Sequence, residues 1–320
     1  MTEFLQHLVN GLSVGAIYAL IALGYTMVYG VLKLINFAHG DVYMVGAFAG
    51  YYLAHLLGIG VYGEDVSAGT QLLHAILITL GAMAVCGLLG VTIERFAYRP
   101  LRHRARLTSL ITAIGVSLLL EYGFQLQPWF KRPIEFPPGP TFRVFPSVIS
   151  RSQIEWADSL AGVSVSNLDL FGLGIAILLM VILQWIVYRT KFGTAMRAVS
   201  FDWQTAGLMG IPVNRVIAWT FVLGSALAAA AGIIQASSRP KIEPLFGLIP
   251  GLKAFVAAVL GDIGSVPGAM VGGLALGLIE EYVAGYTDSS YRDAIAFTVL
   301  ILVLIVRPSG LFGRVTVEKV

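Results

Sequence analysis

The chain runs to 320 residues, of which 57% are hydrophobic and only 12% charged, with a mean hydropathy of +0.81. A soluble domain carries about 25% charged residues, so a water-exposed fold is excluded, and a formal net charge of +3 is too small to point to nucleic acid. The length is better divided by the roughly 20 residues that a helix needs to cross the hydrocarbon core than by the size of a soluble domain.

No charge stands between His7 and Lys33, which predicts a first span over about 8–30. That apolar run lasts a full span and lacks basic residues ahead of it, so no cleavable signal peptide is expected. Charge-free runs follow between Asp41 and Glu64 and over 71–93, 170–188 and 216–238. Residues 107–129 read as a further span with Glu121 inside it. In the last quarter 244–261 carries Lys253, 263–284 is rich in glycine, and 294–306 is short before Arg307. The expected total is eight or nine crossings. Continuous apolar runs predict helices, because barrel strands would alternate over about ten residues. The fold class expected is therefore an all-α integral membrane protein. It is a polytopic helical bundle forming one transmembrane domain over 1–320, with some crossing segments short or broken.

Glycines recur at helical spacing in Gly11/Gly15, Gly46/Gly50, Gly264/Gly268/Gly272 and Gly273/Gly277. Small residues four apart let helix backbones approach closely where lipid supplies no hydrophobic drive. Positive charge sets the orientation. Arg95, Arg99, Arg102, Arg104 and Arg106 fill the 94–106 connection, and the 189–215 connection has Arg189, Lys191, Arg197 and Arg215. Arg307, Arg314 and Lys319 end the chain. All three belong on the cytoplasmic side, which puts the long 130–168 segment outside despite Lys131, Arg132, Arg143 and Arg151. Trp129 and Trp156 are candidate interface anchors there. With nine crossings the N-terminus also lies outside and the C-terminus is cytoplasmic.

Catalytic and metal signatures are missing. The dipeptide Gly-Lys never occurs, so there is no phosphate loop of the Walker type, and neither HExxH nor CxxC is present. The five histidines (His7, His39, His55, His74, His103) show no metal-ligand spacing. The single cysteine, Cys86, sits in an apolar run and reads as a small buried side chain. Gly11-Leu12-Ser13-Val14-Gly15 fits G-x-S-x-G, yet it opens a membrane helix where a strand-to-helix turn would be needed, so a helix-packing glycine pair is the better reading.

Three stretches remain informative. Asn36, His39, Gly40 and Asp41 cluster at a helix break between two strong spans, where polar groups must meet water, each other or backbone. One reading is a cytoplasmic turn with Asp41 capping the next helix; the other is a part in gating or the transport path. Gly261, Asp262, Gly264 and Ser265 repeat the Gly-Asp pattern before a second glycine-containing helix, as an internal repeat would. Residues 190–214 mix small, charged and apolar types. There Ala195, Ala198, Val199, Ala206, Leu208 and Met209 are placed to cover part of a short helix that exits at Pro212 and Asn214. A cytoplasmic helix across two spans is a lever that a partner can push.

At these stretches the chain resembles the LivH-type permeases of branched-chain amino acid ABC importers. The carrying residues are GLSVGAIYALIALGYTMVYGVLKLINFAHGDVYMVGA (11–47), RAVSFDWQTAGLMGIPVNRVIAWTFVLGSALAAAAG (197–232), KAFVAAVLGDIGSVPGAMVGGLALGLIE (253–280) and RPSGLFG (307–313). The likeness covers nearly the whole chain apart from about 130–165, and does not separate amino acids from urea or short amides. It implies a transport subunit of a bacterial inner membrane, without an ATPase site or bound cofactor of its own. Its implied partners are a second LivM-like permease, two cytoplasmic ABC ATPases that use the ATP, and a periplasmic binding protein delivering Leu, Ile or Val. It also implies an ATPase-coupling helix over Gly193 to Gly210, with Arg197, Asp202 and Ala206 inside. Arg197-Ala198-Val199 stands where other importer permeases have Glu-Ala-Ala. A channel or secondary transporter, with Glu121 carrying a proton, is the competing class. Asn36 and Ser265 are candidates to meet the substrate carboxylate.

Overall fold

The structure is a computed structural model that describes residues 2–59, 66–102, 104–129, 135–150, 152, 162–307 and 310–313. Glu64, His103, Lys131, Arg132, Arg151, Trp156, Arg314 and Lys319 lie outside the described residues. The charge-free run after His7 folds as α1, Thr2–Leu32, followed by α2 (His39–Leu56), α3 (Ala68–Ile93), α4 (Arg106–Gln125) and α5 (Asn167–Arg189). Two short helices, α6 (Lys191–Phe201) and α7 (Trp203–Leu208), lead into α8 (Val213–Ser238). The chain ends with α9 (Leu248–Gly261), α10 (Val266–Tyr286) and α11 (Arg292–Val306). These are continuous helices because a helix satisfies its own backbone groups where water is absent. Several start on a side-chain oxygen: Ser67 accepts from Thr70 N, Ser166 from Leu168 N and Ser265 from Gly268 N.

Seven helices among the described residues are long and apolar enough to cross a bilayer. The eight or nine crossings expected correspond to these seven, the buried 18-residue α2, and α9, which at 14 residues is too short for an ordinary span. Helix continues from α3 through a π-turn, Glu94–Tyr98, and a 3-10 turn, Arg99–Leu101, because buried Glu94 pairs with Arg102 and holds the turn against the bundle.

α1 lies at the centre and is mostly buried, packed on α8, α9 and α10, whereas α4, α5 and α11 expose long apolar side chains. Exposed leucines and isoleucines suit lipid, which is as apolar as they are. α1 and α10 run antiparallel and close: a Cβ on Gly15 would stand 2.8 Å from Leu274 Cα, and Gly277 abuts Gly15. Gly11 and Gly15 thus sit mid-helix in a packing seam, and Cys86 is buried with its thiol directed at Val42 O.

This packing fixes two ends. Gly261, Gly264 and Gly310 gather near the C-terminus of α1, where Ser200 Oγ also donates to Gly30 O. At the opposite end Gln6 bonds Ser164, and a two-residue ribbon pairs Arg143 with Ile242 and Val144 with Lys241. Trp129 is exposed beyond α4.

Candidate functional site

The 190–214 connection is a corner of two helices rather than the one short helix expected. Thr190 caps α6 by accepting from Gly193 N at 3.1 Å. Gly193 has to be small, because a side chain there would run into the carbonyls of Ile186 and Val187. The Arg197 guanidinium donates to Val187 O, 5.7 Å from the Tyr188 ring centroid, so α6 is tied back onto the end of α5. Asp202 breaks the helix and caps α7, accepting from Gln204 N at 2.8 Å and Thr205 N at 3.1 Å. The Thr205 hydroxyl and these amides hold the Asp202 carboxyl below its ordinary value. Gly210 closes the corner at φ +83°, in the left-handed region that glycine enters without strain.

Val199 and Ala206 are buried, as a covering helix requires. Leu208 and Met209 are not: they are 88% and 79% exposed, beside Phe201 at 95%. Asp202 kinks the chain, so the last apolar residues project away from the bundle instead of lying on it.

The two Gly-Asp breaks lie at this same end. Asn36 is buried and accepts from Tyr98 Oη at 3.0 Å. His39 is buried edge-on to Tyr25, ring centroids 4.8 Å apart, with Nε2 unpartnered among the described residues. Asp41 does not cap α2, which has no side-chain cap. Its carboxylate accepts from Ser117 on α4, next to buried Glu121. Asp262 stands at φ +103° after α9, Gly264 at φ +112°, and Gly261 packs directly on Gly268. Ser265 spends its hydroxyl on capping α10. Asn36 and Ser265, the carboxylate candidates, are therefore both engaged internally.

The strongest polar cluster lies nearer the other end and was not singled out from sequence. Lys253 of α9, 5% exposed, pairs with Glu280 of α10, 1% exposed, and reaches Asp293 of α11 at 2.6 Å. Tyr18 Oη donates to Glu280 at 2.8 Å, and Arg292 pairs with Glu281 at 2.8 Å. Charges in an apolar bundle are costly unless matched this way. The cluster borders a cavity of about 350 Å³, next to a second of about 260 Å³ that Ser13, Asp169 and Glu281 help line. The available signal was Lys253 in one apolar run and Glu280-Glu281 in another. Only folding reveals that they face each other.

Such an architecture, apolar helices around a charged cavity with a capped two-helix corner at one end, is that of a multi-pass membrane protein. The chain belongs to the family described as branched-chain amino acid transport system / permease component, whose pattern it matches over residues 7–304. It is 42% identical over 318 residues to the high-affinity branched-chain amino acid transport system permease protein BraD of Pseudomonas aeruginosa, covering 99% of this chain and 98% of that one. To the LivH permease proteins of Salmonella typhimurium and Escherichia coli it is 40% identical over 320 and 318 residues, with the same coverage.

Proposed function

We propose that this chain is the membrane permease subunit of a binding-protein-dependent ABC importer that carries branched-chain amino acids (Leu, Ile and Val) across a bacterial inner membrane. It binds no cofactor and hydrolyses no ATP. Two cytoplasmic ABC ATPases supply the work, a second LivM-like permease completes the passage, and a periplasmic binding protein delivers the substrate. The α6–α7 corner faces the cytoplasm with the C-terminus, and the N-terminus and the 130–168 segment face out. The names of the relatives support the substrate class.

The observation that carries the coupling role is the exposed apolar tip of Phe201, Leu208 and Met209 on a corner held by Thr190, Arg197 and Asp202. Exposed apolar side chains on a polar end mark a protein interface. ATP binding closes the ATPase pair against this tip. Because Arg197 ties the corner to α5 and Ser200 ties it to α1, a push there moves both helices together. The passage thereby alternates between its two openings. The breaks at Gly40-Asp41 and Gly261-Asp262 are the points assigned to bending, since each adjoins a tight backbone contact, Gly40 with Gly251 and Gly261 with Gly268.

The test is uptake of labelled leucine into proteoliposomes holding the complete complex, together with cross-linking from cysteines placed at Leu208 and Met209. Uptake requiring both ATP and binding protein, with cross-links to an ATPase subunit, is the expected result. Leucine conduction by this chain without any ATPase would overturn the proposal in favour of a channel or secondary transporter.

A further inference from the structure

Resting on the amino-acid importer reading, we propose that the larger charged cavity is a binding station for a zwitterionic α-amino acid on its way through the protein. Arg239 and the Tyr43 hydroxyl hold the carboxylate, Glu243 and Asp293 receive the ammonium, and Ile17, Phe246 and Ile249 form the wall for an aliphatic side chain.

Charge balance comes first. Arg239, Lys253 and Arg292 line the cavity together with Glu243, Glu280 and Asp293, three cations against three carboxylates. A zwitterion leaving water must have both of its charges met. A lining of one sign would hold an anion or a cation; a balanced one suits a ligand that carries both. At about 350 Å³ the space falls at the lower end of ligand pockets, which run from about 300 Å³ upward.

Unspent hydrogen-bonding capacity comes second. The Tyr43 hydroxyl is fully buried and has no partner among the described residues, although its ring is fixed by stacking on Phe246 at 5.1 Å and 6°. A buried donor without a partner is costly and calls for an explanation. Arg239 lines both cavities yet makes no ion pair with any described residue. Lys253 and Arg292, by contrast, are already matched by protein carboxylates. The donors left to meet a carboxylate are the buried Tyr43 hydroxyl, the exposed Arg239 guanidinium and Arg292 Nε, which also lacks a partner among the described residues, while Glu243 stands 3.9 Å from Lys241.

The start of α9 adds to them. Its first turn reaches the cavity through Ile249 and Pro250; Leu248 N is taken by Leu245 O and Pro250 carries no N–H, so the Ile249 amide is the one this turn leaves open. A helix N-terminus favours negative charge, and a short helix that begins inside a membrane protein aims that end at an anionic substrate group.

The experiment uses the complete importer in proteoliposomes, with a diazirine analogue of leucine delivered by the binding protein and photolysed during turnover. Labelling of peptides containing Tyr43, Arg239 or Phe246, suppressed by excess leucine, is expected. In the same preparation Arg239→Gln lowers leucine uptake roughly tenfold or more, as loss of a charge-assisted bond does. Tyr43→Phe lowers it several-fold, and Arg239→Lys restores part of the loss. The label is read on the unmutated complex, so misfolding of a variant leaves the question answerable. If the unmutated complex imports leucine but the label falls only elsewhere, or both variants transport normally, the station is overturned and the importer reading stands. If the unmutated complex imports no leucine, the importer reading fails and the station with it.

Discussion

Gly251 of α9 and Gly40 of α2 meet backbone against backbone: a Cβ on Gly251 would stand 2.7 Å from Gly40 Cα, and one on Gly40 2.7 Å from the carbonyl oxygen of Gly247. The short helix is thus seated on the first turn of α2, which joins the 36–41 break to the cavity that the start of α9 borders.

Gly40→Leu is expected to force the two backbones apart, an overpacking cost of about 1–3 kcal/mol. Leucine uptake by the assembled complex should fall while ligand capture by the binding protein persists, and Gly40→Ala should lose less. Unchanged uptake in the leucine variant would refute the close contact.

Lys253 and Glu280 form a buried pair whose removal is not symmetric. Lys253→Met strands the Glu280 carboxylate, at a cost of about 3–5 kcal/mol. The melting temperature of the detergent-solubilised protein should drop accordingly. The double substitution Lys253→Met with Glu280→Gln should recover a good part of it. Strictly additive losses in that cycle would show that the two side chains do not interact.

Asp202 holds the corner through its cap. Its folded value is depressed, by the Thr205 hydroxyl first and the backbone amides after it. The contribution is therefore fully present above the unfolded value of about 3.9 and is lost only as pH falls through the lower folded one. Acidifying from about pH 7 to about pH 5 should leave leucine transported per ATP unaltered on this account. Asp202→Ala should lower that ratio at every pH, while Asp202→Asn, which keeps a capping oxygen, should largely preserve it. An asparagine variant as uncoupled as the alanine one would count against the cap.

Leu208→Lys and Phe201→Lys place charge on the exposed tip without disturbing buried contacts. The chain should still insert and purify, but recovery of the ATPase subunits with it should fall sharply. Retention of full ATPase content would move the docking surface elsewhere.

The sequence by itself decided that this is a helical membrane protein. Hydropathy is a sum over neighbours in the chain, and the bilayer demands long apolar runs whatever the tertiary arrangement. Glycine spacing also announced close helix contacts, of which Gly15 against α10 is an instance. Partners distant in sequence were not readable. Nothing in the run around Asp41 says that its carboxylate will be taken by Ser117 rather than by its own helix end. Lys253 and Glu280 belong to separate apolar stretches, and only the antiparallel packing of α1 and α10, with α9 beside them, brings their charges together. The corner at Asp202 likewise turned two apolar residues outward that helical spacing alone would have laid on the bundle. Composition chose the solvent, and tertiary packing chose which polar groups meet inside it, because an unpaired charge is too costly to bury alone.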